Sequence, residues 1–565
     1  MYKKYIFNFI FIFLILIFGF ILFKPIYISD TIIINYGLKP FNICVEQPTI
    51  WNQIKLLFVI TYILSTCIIS KSISNFIFKN VKSKNKSTDC VLDYSNTINS
   101  LNLYVGLDSQ SKNKVFIPEK SLYQNILITG TIGTGKTSCA IYPFTKQLIK
   151  YQNINIQKKL GMLILDVKGN FYTKVIEYSK LYNRLDDLVV ISLEGNIKYN
   201  PLDKPKLKPN VLANRIKTIL TLFSKNNSES YWLDKVEQIL CEAIKFCRLY
   251  NYNYVTFDEL HKLVTVPKYY LEKMQLLRTL FQENKFNTED IYNLSTAIDF
   301  FEKEFNQLDP RTLNILKSEI TRITGAFISD YKVSKIFCPK KNEINFHGFE
   351  DVINNGKIVV LSMNIAEYYN ISKIIATYLK IDFQSEVLSR LSRNSVLRST
   401  LFVSDEFQEY VTTTDADFFS QSREAKCINI ISTQSYSSLL NTLGNNANVK
   451  VLIQSLVNKL WFRTDDLFTI EEAQKQLGKE DKLKISKTIS ENAKETNFNY
   501  LTNSLNSKNS NLSESINSYY YTDYIYDTKF FTQGLETFSC LSFLSDGNKI
   551  SNPTKINLIP YFKEE

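Results

Sequence analysis

The sequence of 565 residues is poor in the side chains that build most metal and nucleophile sites. It has 2 histidines, His261 and His347, far apart in the chain. That scarcity argues against a histidine-based metal centre and against a Ser-His-Asp triad. The 9 cysteines are scattered and form no C-x-x-C pair. Cys241 and Cys247 stand six apart, which is not a zinc spacing. Reduced, buried thiols in a cytosolic body are the reading that remains. Glycine is scarce as well, at 16, so a local concentration of it carries information.

That concentration is Gly130-Thr131-Ile132-Gly133-Thr134-Gly135-Lys136-Thr137, which fits G-x-x-x-x-G-K-[ST] at every fixed position. Asn125 to Thr129 reads as a short buried strand before it, and a helix-compatible stretch follows towards Lys150. Backbone N–H groups of such a loop wrap phosphates, helped by the positive end of the helix dipole. Lys136 would reach the β/γ-phosphates, and the Thr137 hydroxyl would hold Mg²⁺, so ATP and Mg²⁺ are the expected ligands.

A hydrophobic content of 45% with 22% charged residues suits a folded protein with sizeable cores, and the length suggests two to four domains. The net charge of +12 permits nucleic-acid or anionic-membrane partners without selecting one. The general skew to Lys, Asn and Ile dilutes any basic-patch argument.

Two apolar segments precede the loop. Tyr5 to Phe23 is broken only by Asn8, and nineteen residues at 1.5 Å rise give ~28 Å, close to a bilayer core. A signal peptide competes, but the run is long for one and no A-x-A site follows. Leu56 to Ser70 is weaker, with Thr61, Ser65 and Thr66 inside it. The sequence therefore predicts an anchor over 1–80 with spans near 5–23 and 52–72, in contact with membrane lipid. Lys3, Lys4 and the lysines from Lys71 to Lys86 place both ends in the cytoplasm. The expected location is the cytoplasmic membrane, multi-pass, with a cytoplasmic body.

Within the body, 81–120 reads as linker and entry. The nucleotide-binding domain is expected in two segments, 121–210 and 341–565, with an all-α domain inserted over 211–340. The runs Met162–Leu165, Leu188–Ile191, Ile358–Leu361, Leu401–Val403 and Ile428–Ile431 look like strands of a buried parallel sheet. Helix-length segments separate most of them, which indicates an α/β domain. Leu401 to Glu406 is an apolar run ending in two acids. Beside the phosphate loop it reads as a Walker B strand, with Asp405 in the Mg²⁺ shell and Glu406 polarising the attacking water. Gln434 ends the following strand and could touch the γ-phosphate or that water; a plain strand-end glutamine is the alternative. Arg423 could act as an arginine finger towards a neighbouring subunit, or simply be solvated. The 268 residues between Thr137 and Asp405 exceed a minimal nucleotide fold. Val211–Phe223, Tyr231–Tyr250 and Thr312–Ile328 within them show helical periodicity. The Asn/Ser-rich segment 486–518 reads as a flexible insertion or loop.

The ordered set of features resembles the type IV secretion coupling proteins, the TraG/TraD group of conjugation ATPases. After the two expected spans and the phosphate loop come Asp166-Val167-Lys168-Gly169, Asn200-Pro201-Leu202, and Trp232 in the helical region. Asp405-Glu406-Phe407, Ser422-Arg423-Glu424-Ala425, Thr433-Gln434-Ser435 and Leu477-Gly478 complete the set. The glycine that many relatives carry near Arg423 is absent. The resemblance implies a RecA-like motor core in a homo-hexameric ring with an inserted all-α domain. It also implies a cargo of single-stranded DNA, recruitment of relaxase and relaxosome proteins, and delivery to type IV secretion channel components. An FtsK-like double-stranded DNA translocase shares the motor chemistry, but nothing after Leu535 looks like a winged-helix DNA reader. A membrane receptor that binds ATP without turnover is the reading from a different class.

Overall fold

The computed structural model describes residues 101–563 except 167, 224–229, 284, 364, 393–397, 493–496, 500–503 and 507–510, together with a few helical positions between 49 and 66. The chain divides into two compact units, Met1–Asp93 and Tyr94–Glu565.

In the first unit, the expected span 5–23 lies outside the described residues. The described positions of 52–72 are helical and mix Leu56, Leu57 and Ile60 with Asn52, Gln53, Thr61 and Thr66. Among the described residues no helix is long and apolar enough to cross a membrane. This corrects the two-span anchor and the multi-pass membrane location. A span needs about 20 predominantly apolar residues in one helix, with few polar groups left to hydrocarbon.

The second unit is built on a sheet of eleven strands ordered β2-β1-β15-β14-β9-β3-β8-β7-β4-β6-β5. Its parallel strands are β3 (Ile126–Thr129), β4 (Gly161–Leu165), β5 (Leu188–Ser192), β6 (Ile358–Ser362), β7 (Thr400–Ser404), β8 (Cys427–Thr433) and β9 (Asn458–Phe462). An antiparallel edge adds β14 (Ser539–Phe543), β15 (Thr554–Asn557), β1 (Asn102–Asp108) and β2 (Lys114–Pro118). The apolar runs of the sequence are the parallel strands. They are apolar throughout because both faces are covered: Leu163 and Leu165 enter one core, Met162 and Ile164 the other.

Strand β9 and the antiparallel edge are less visible in the sequence. Asn458 and Lys459 open β9 although both are buried. Asn458 is accepted there because its amide is satisfied: Ser121 Oγ donates to its Oδ1 at 2.9 Å, and its Nδ2 donates to the Ser121 carbonyl at 2.8 Å.

Between β5 and β6 the described chain is helical. It runs through α3 (Pro209–Leu220), α4 (Ser230–Tyr250), α5 (Phe257–Thr265), α6 (Pro267–Gln282), α7 (Thr288–Asp299), α8 (Pro310–Ile328), α9 (Tyr331–Phe337) and α10 (Phe349–Asn355). Helices α1 (Tyr142–Lys150) and α2 (Phe171–Leu181) precede them; α11 (Ile365–Ser389), α12 (Asp415–Gln421), α13 (Tyr436–Leu443), α14 (Asn446–Gln454) and α15 (Leu467–Leu477) follow. Trp232 is partly buried against the core that the helical run shares with the sheet.

The segment read as a flexible loop is instead largely a ribbon. Strand β10 (Lys479–Asn492) pairs antiparallel with β13 (Asn511–Tyr524) in unbroken register from Lys479↔Tyr524 to Asn492↔Asn511. A shorter pair, β11 (Asn497–Asn499) with β12 (Ser504–Asn506), lies between them. Serine and asparagine hid an alternation in which Leu483, Ile485 and Ile489 share one face with Tyr520 and Ile516 across the ladder.

Candidate nucleotide site

The loop Gly130–Thr137 leaves β3 at the carboxyl end of the parallel strands. A Cβ on Gly130 would lie 2.6 Å from the Phe462 Cβ on β9, so the loop starts where only glycine fits. Gly135 has φ of 99°, and a Cβ there would meet the Phe538 ring at 2.5 Å. The left-handed backbone and the close ring both require glycine at this position. The loop is pinned from outside: Thr131 N–H donates to the Arg463 carbonyl at 2.9 Å, and Phe538 N–H to the Thr134 carbonyl at 3.1 Å. It opens into a wide π turn, Lys136–Ile141, before α1. Pro143 has no N–H for the Cys139 carbonyl, and the Tyr142 N–H bonds to Thr137 five residues back.

The functional atoms converge across the sheet. Thr137 Oγ1 donates to Asp405 Oδ2 at 2.8 Å, over a sequence separation of 268 residues. Lys136 Nζ donates to the carbonyls of Gly130 and Thr131, the latter at 3.1 Å. Burial pushes the Lys136 pKa down, against the opposing fields of Glu406 and Asp405. Asp405 directly follows β7, and its N–H reaches the Leu165 carbonyl at the end of β4. Glu406 follows in a left-handed conformation with φ of 51°, which costs on the order of 1–2 kcal/mol for a residue with a Cβ. Its N–H donates to Asp405 Oδ1 at 3.1 Å, and its Oε2 accepts from Gln408 Nε2 at 2.8 Å. Lys168 Nζ stands 3.9 Å from Glu406 Oε1.

Strand β8 lies between β3 and β7. Thr433 pairs with Thr129 in the parallel register, so Gln434 and Gly130 leave the same end of adjacent strands. Gln434 is thus placed between the phosphate loop and the acid pair. Arg423 is not brought to the site. It is exposed in the turn before Cys427, at the amino end of β8. The seven residues of β8 at about 3.3 Å each put it roughly 23 Å from that strand's carboxyl end. Any contact it makes with a nucleotide is therefore with one on another molecule.

Several residues of the site carried no distinguishing signal in the sequence. Gln408 joins Glu406 to β8, its Oε1 accepting from Thr433 Oγ1 at 2.9 Å. Its only mark is its place two residues after the acid pair. Arg463 and Phe538 buttress the loop through contacts no local motif encodes. Asp166, which the sequence did mark as the start of Asp166-Val167-Lys168-Gly169, caps α2, accepting from the N–H groups of Asn170 and Phe171 at 3.1 and 3.0 Å. Burial raises its pKa, and those backbone donors oppose the rise.

The donor set suits a magnesium nucleotide. A hydroxyl and a carboxylate oxygen already face each other at hydrogen-bond distance, a hard-cation pair. Gly133, with φ of 78° and nothing within 4 Å of a Cβ built on it, leaves open space beside the loop.

Residues 399–517 match the family model described as the TraM recognition site of TraD and TraG. Among solved structures, the chain is similar to an unbound form of the bacterial conjugative coupling protein TrwBdeltaN70. The identity is 13% over 79% of this chain and 87% of that one, with a TM-score of 0.53. It is similar to the plasmid coupling protein TrwB in complex with ADP and Mg²⁺, at 12% identity over 80% and 89%, with a TM-score of 0.53. No curated protein matches the chain in sequence. The resemblance to the TraG/TraD coupling proteins read from the ordered motifs is borne out by the family model and by the fold. At such identity the structural likeness is one of fold.

Proposed function

We propose that the chain is a P-loop ATPase that drives DNA transfer as a conjugative coupling protein. The observation that carries this reading is the 2.8 Å contact of Thr137 with Asp405, which joins the phosphate loop to the acid-bearing strand. With Lys136 and Glu406 beside it, four side chains of the expected types stand at the carboxyl ends of the parallel strands. The family model over 399–517 and the coupling-protein fold support the conjugative assignment.

In this reading the loop amides of Gly130–Thr137 bind the phosphates. Lys136 leaves the carbonyls of Gly130 and Thr131 to neutralise charge on the transferred group. Thr137 and Asp405 would hold Mg²⁺, which when bound would supply charge neutralisation at the phosphates. Glu406 orients the attacking water and takes its proton, with Gln408 fixing the carboxylate. Gln434 contacts the γ-phosphate or that water. Arg423, exposed at the far edge, serves a neighbouring copy in a homo-hexamer. The cargo is single-stranded DNA with its relaxase, passed to a secretion channel.

Lys136→Ala tests this in a mating assay. Transfer is expected to fall by roughly a hundredfold or more, the scale of losing a main charge-stabilising donor, with the protein present at the wild-type level. Normal transfer by that variant sinks the motor reading.

A further inference from the structure

Helix α11 grips the segment that follows the acid pair. The helix is broken at Tyr369, where φ is 26°, and continues regularly beyond it. Lys373, Lys380 and Gln384 are spaced by seven and four residues, which sets them on one face of a 3.6-residue helix. Lys373 pairs with Glu409. Lys380 is fully buried and pairs with the equally buried Asp415. Its Nζ also donates to the Tyr410 carbonyl at 2.6 Å and to Thr412 Oγ1 at 3.2 Å. Gln384 Nε2 donates to Asp415 Oδ1 at 2.8 Å. The Lys380 ammonium lies 5.3 Å from the centroid of the Phe407 ring, the residue next to Glu406.

The opposite side of the same helix holds a second buried charge. Asp382 accepts from Arg215 Nη1 at 2.7 Å, lies 3.1 Å from Lys204 Nζ, and accepts from the Tyr199 hydroxyl. Tyr199 and Lys204 flank Asn200-Pro201, and Arg215 lies on α3 at the entry to the helical run. One helix therefore ties the start of the helical run to the chain carrying Glu406.

We propose that Lys380 is a positioning residue for Glu406, fixing the segment Phe407–Asp415 against α11 and so setting where the Glu406 carboxylate stands. The proposal rests on the hydrolytic reading of the site. The three N–H donors of the Lys380 ammonium are all used on this one segment, by the Tyr410 carbonyl, Thr412 Oγ1 and the Asp415 carboxylate, so a single side chain ties α11 to three points of it. Exposed parts of α11 could carry an ion pair at lower desolvation cost. The position beneath Phe407 brings three links to bear within nine residues of Glu406. Gln408 passes the constraint to Glu406 through its 2.8 Å bond.

The test is the double variant Lys380→Met/Asp415→Leu, which removes both buried charges together and leaves neither unpaired. Binding of a fluorescent ATP analogue, steady-state ATP hydrolysis, the melting temperature and amide hydrogen exchange over 405–415 are measured on the full chain. Nucleotide affinity within about twofold of wild type, a kcat at least tenfold lower and faster exchange over 407–412 are the expected results. Wild-type kcat with wild-type exchange overturns the proposal. So does a parallel loss of affinity and melting temperature, which marks a purely structural pair. If the wild-type chain hydrolyses no ATP, the functional reading fails, and the exchange measurement alone decides the positioning role. If the double variant does not fold, Lys373→Gln severs the outer link, with a smaller effect in the same direction expected and no change in either readout overturning it.

Discussion

Single side chains decide the chemistry here, and the most informative are those held at odds with their surroundings. Glu406 adopts a left-handed conformation between a buried aspartate and a buried glutamine, the kind of local strain that clusters at working sites. Lys459 is a different case. It is buried in β9 with an aromatic neighbour, Phe543, whose ring centroid lies 5.8 Å from its Nζ. Burial lowers its pKa from 10.5 to about 8. Below about pH 8 the folded state carries a desolvated charge. Between about 8 and 10.5 the unfolded chain holds a proton that the folded chain has released, so stability rises with pH through that window. Lys459→Met is expected to raise stability at pH 7 by about 3 kcal/mol, from ~1.4 kcal/mol per pKa unit. It should also flatten the rise between pH 8 and 10.5, as denaturant melts across that range will show.

At the scale of elements, legibility followed burial. Strands β4, β6 and β7 lie inside the sheet and are apolar at nearly every position, so composition alone marks them. The acid pair Asp405-Glu406 was legible because it closes such a run. Strand β15 reads Thr-Lys-Ile-Asn and gives no comparable signal, since its pairing with β1 and β14 is fixed by the tertiary fold. The ribbon β10–β13 was hidden by its Ser and Asn content. Its root is tied to the body by Gln474 Nε2 to the Tyr526 carbonyl at 3.0 Å and by Ile525 N–H to the Gly478 carbonyl at 3.2 Å. Both bonds lie outside the paired strands. Replacing 480–523 with a short Gly-Ser link is therefore expected to leave the chain folded, with ATP affinity within about twofold of wild type. A melting curve and a binding titration check this, and loss of nucleotide binding would show that the ribbon supports the site.

For the whole molecule, topology explains what no motif could. The phosphate-loop strand and the acid-bearing strand are separated by β8 in the sheet, and the Thr137 and Asp405 that follow them lie 268 residues apart in the chain. The helical run lies between them in sequence without parting them in space. The same topology puts Arg423 before the amino end of β8, so the sequence order that placed it near Gln434 does not place it near its own phosphate loop. Contact of Arg423 with a nucleotide would thus need a second copy, whereas Lys136, Thr137, Asp405 and Glu406 meet within one chain.

The most direct measurement is steady-state ATP hydrolysis by the purified chain, with and without single-stranded DNA, beside Glu406→Gln. Magnesium-dependent hydrolysis that rises with single-stranded DNA is expected, falling by about a hundredfold or more in Glu406→Gln while nucleotide still binds. Binding of ATP without DNA-stimulated hydrolysis, or equal rates in the two proteins, would contradict a DNA-translocating ATPase built on this site.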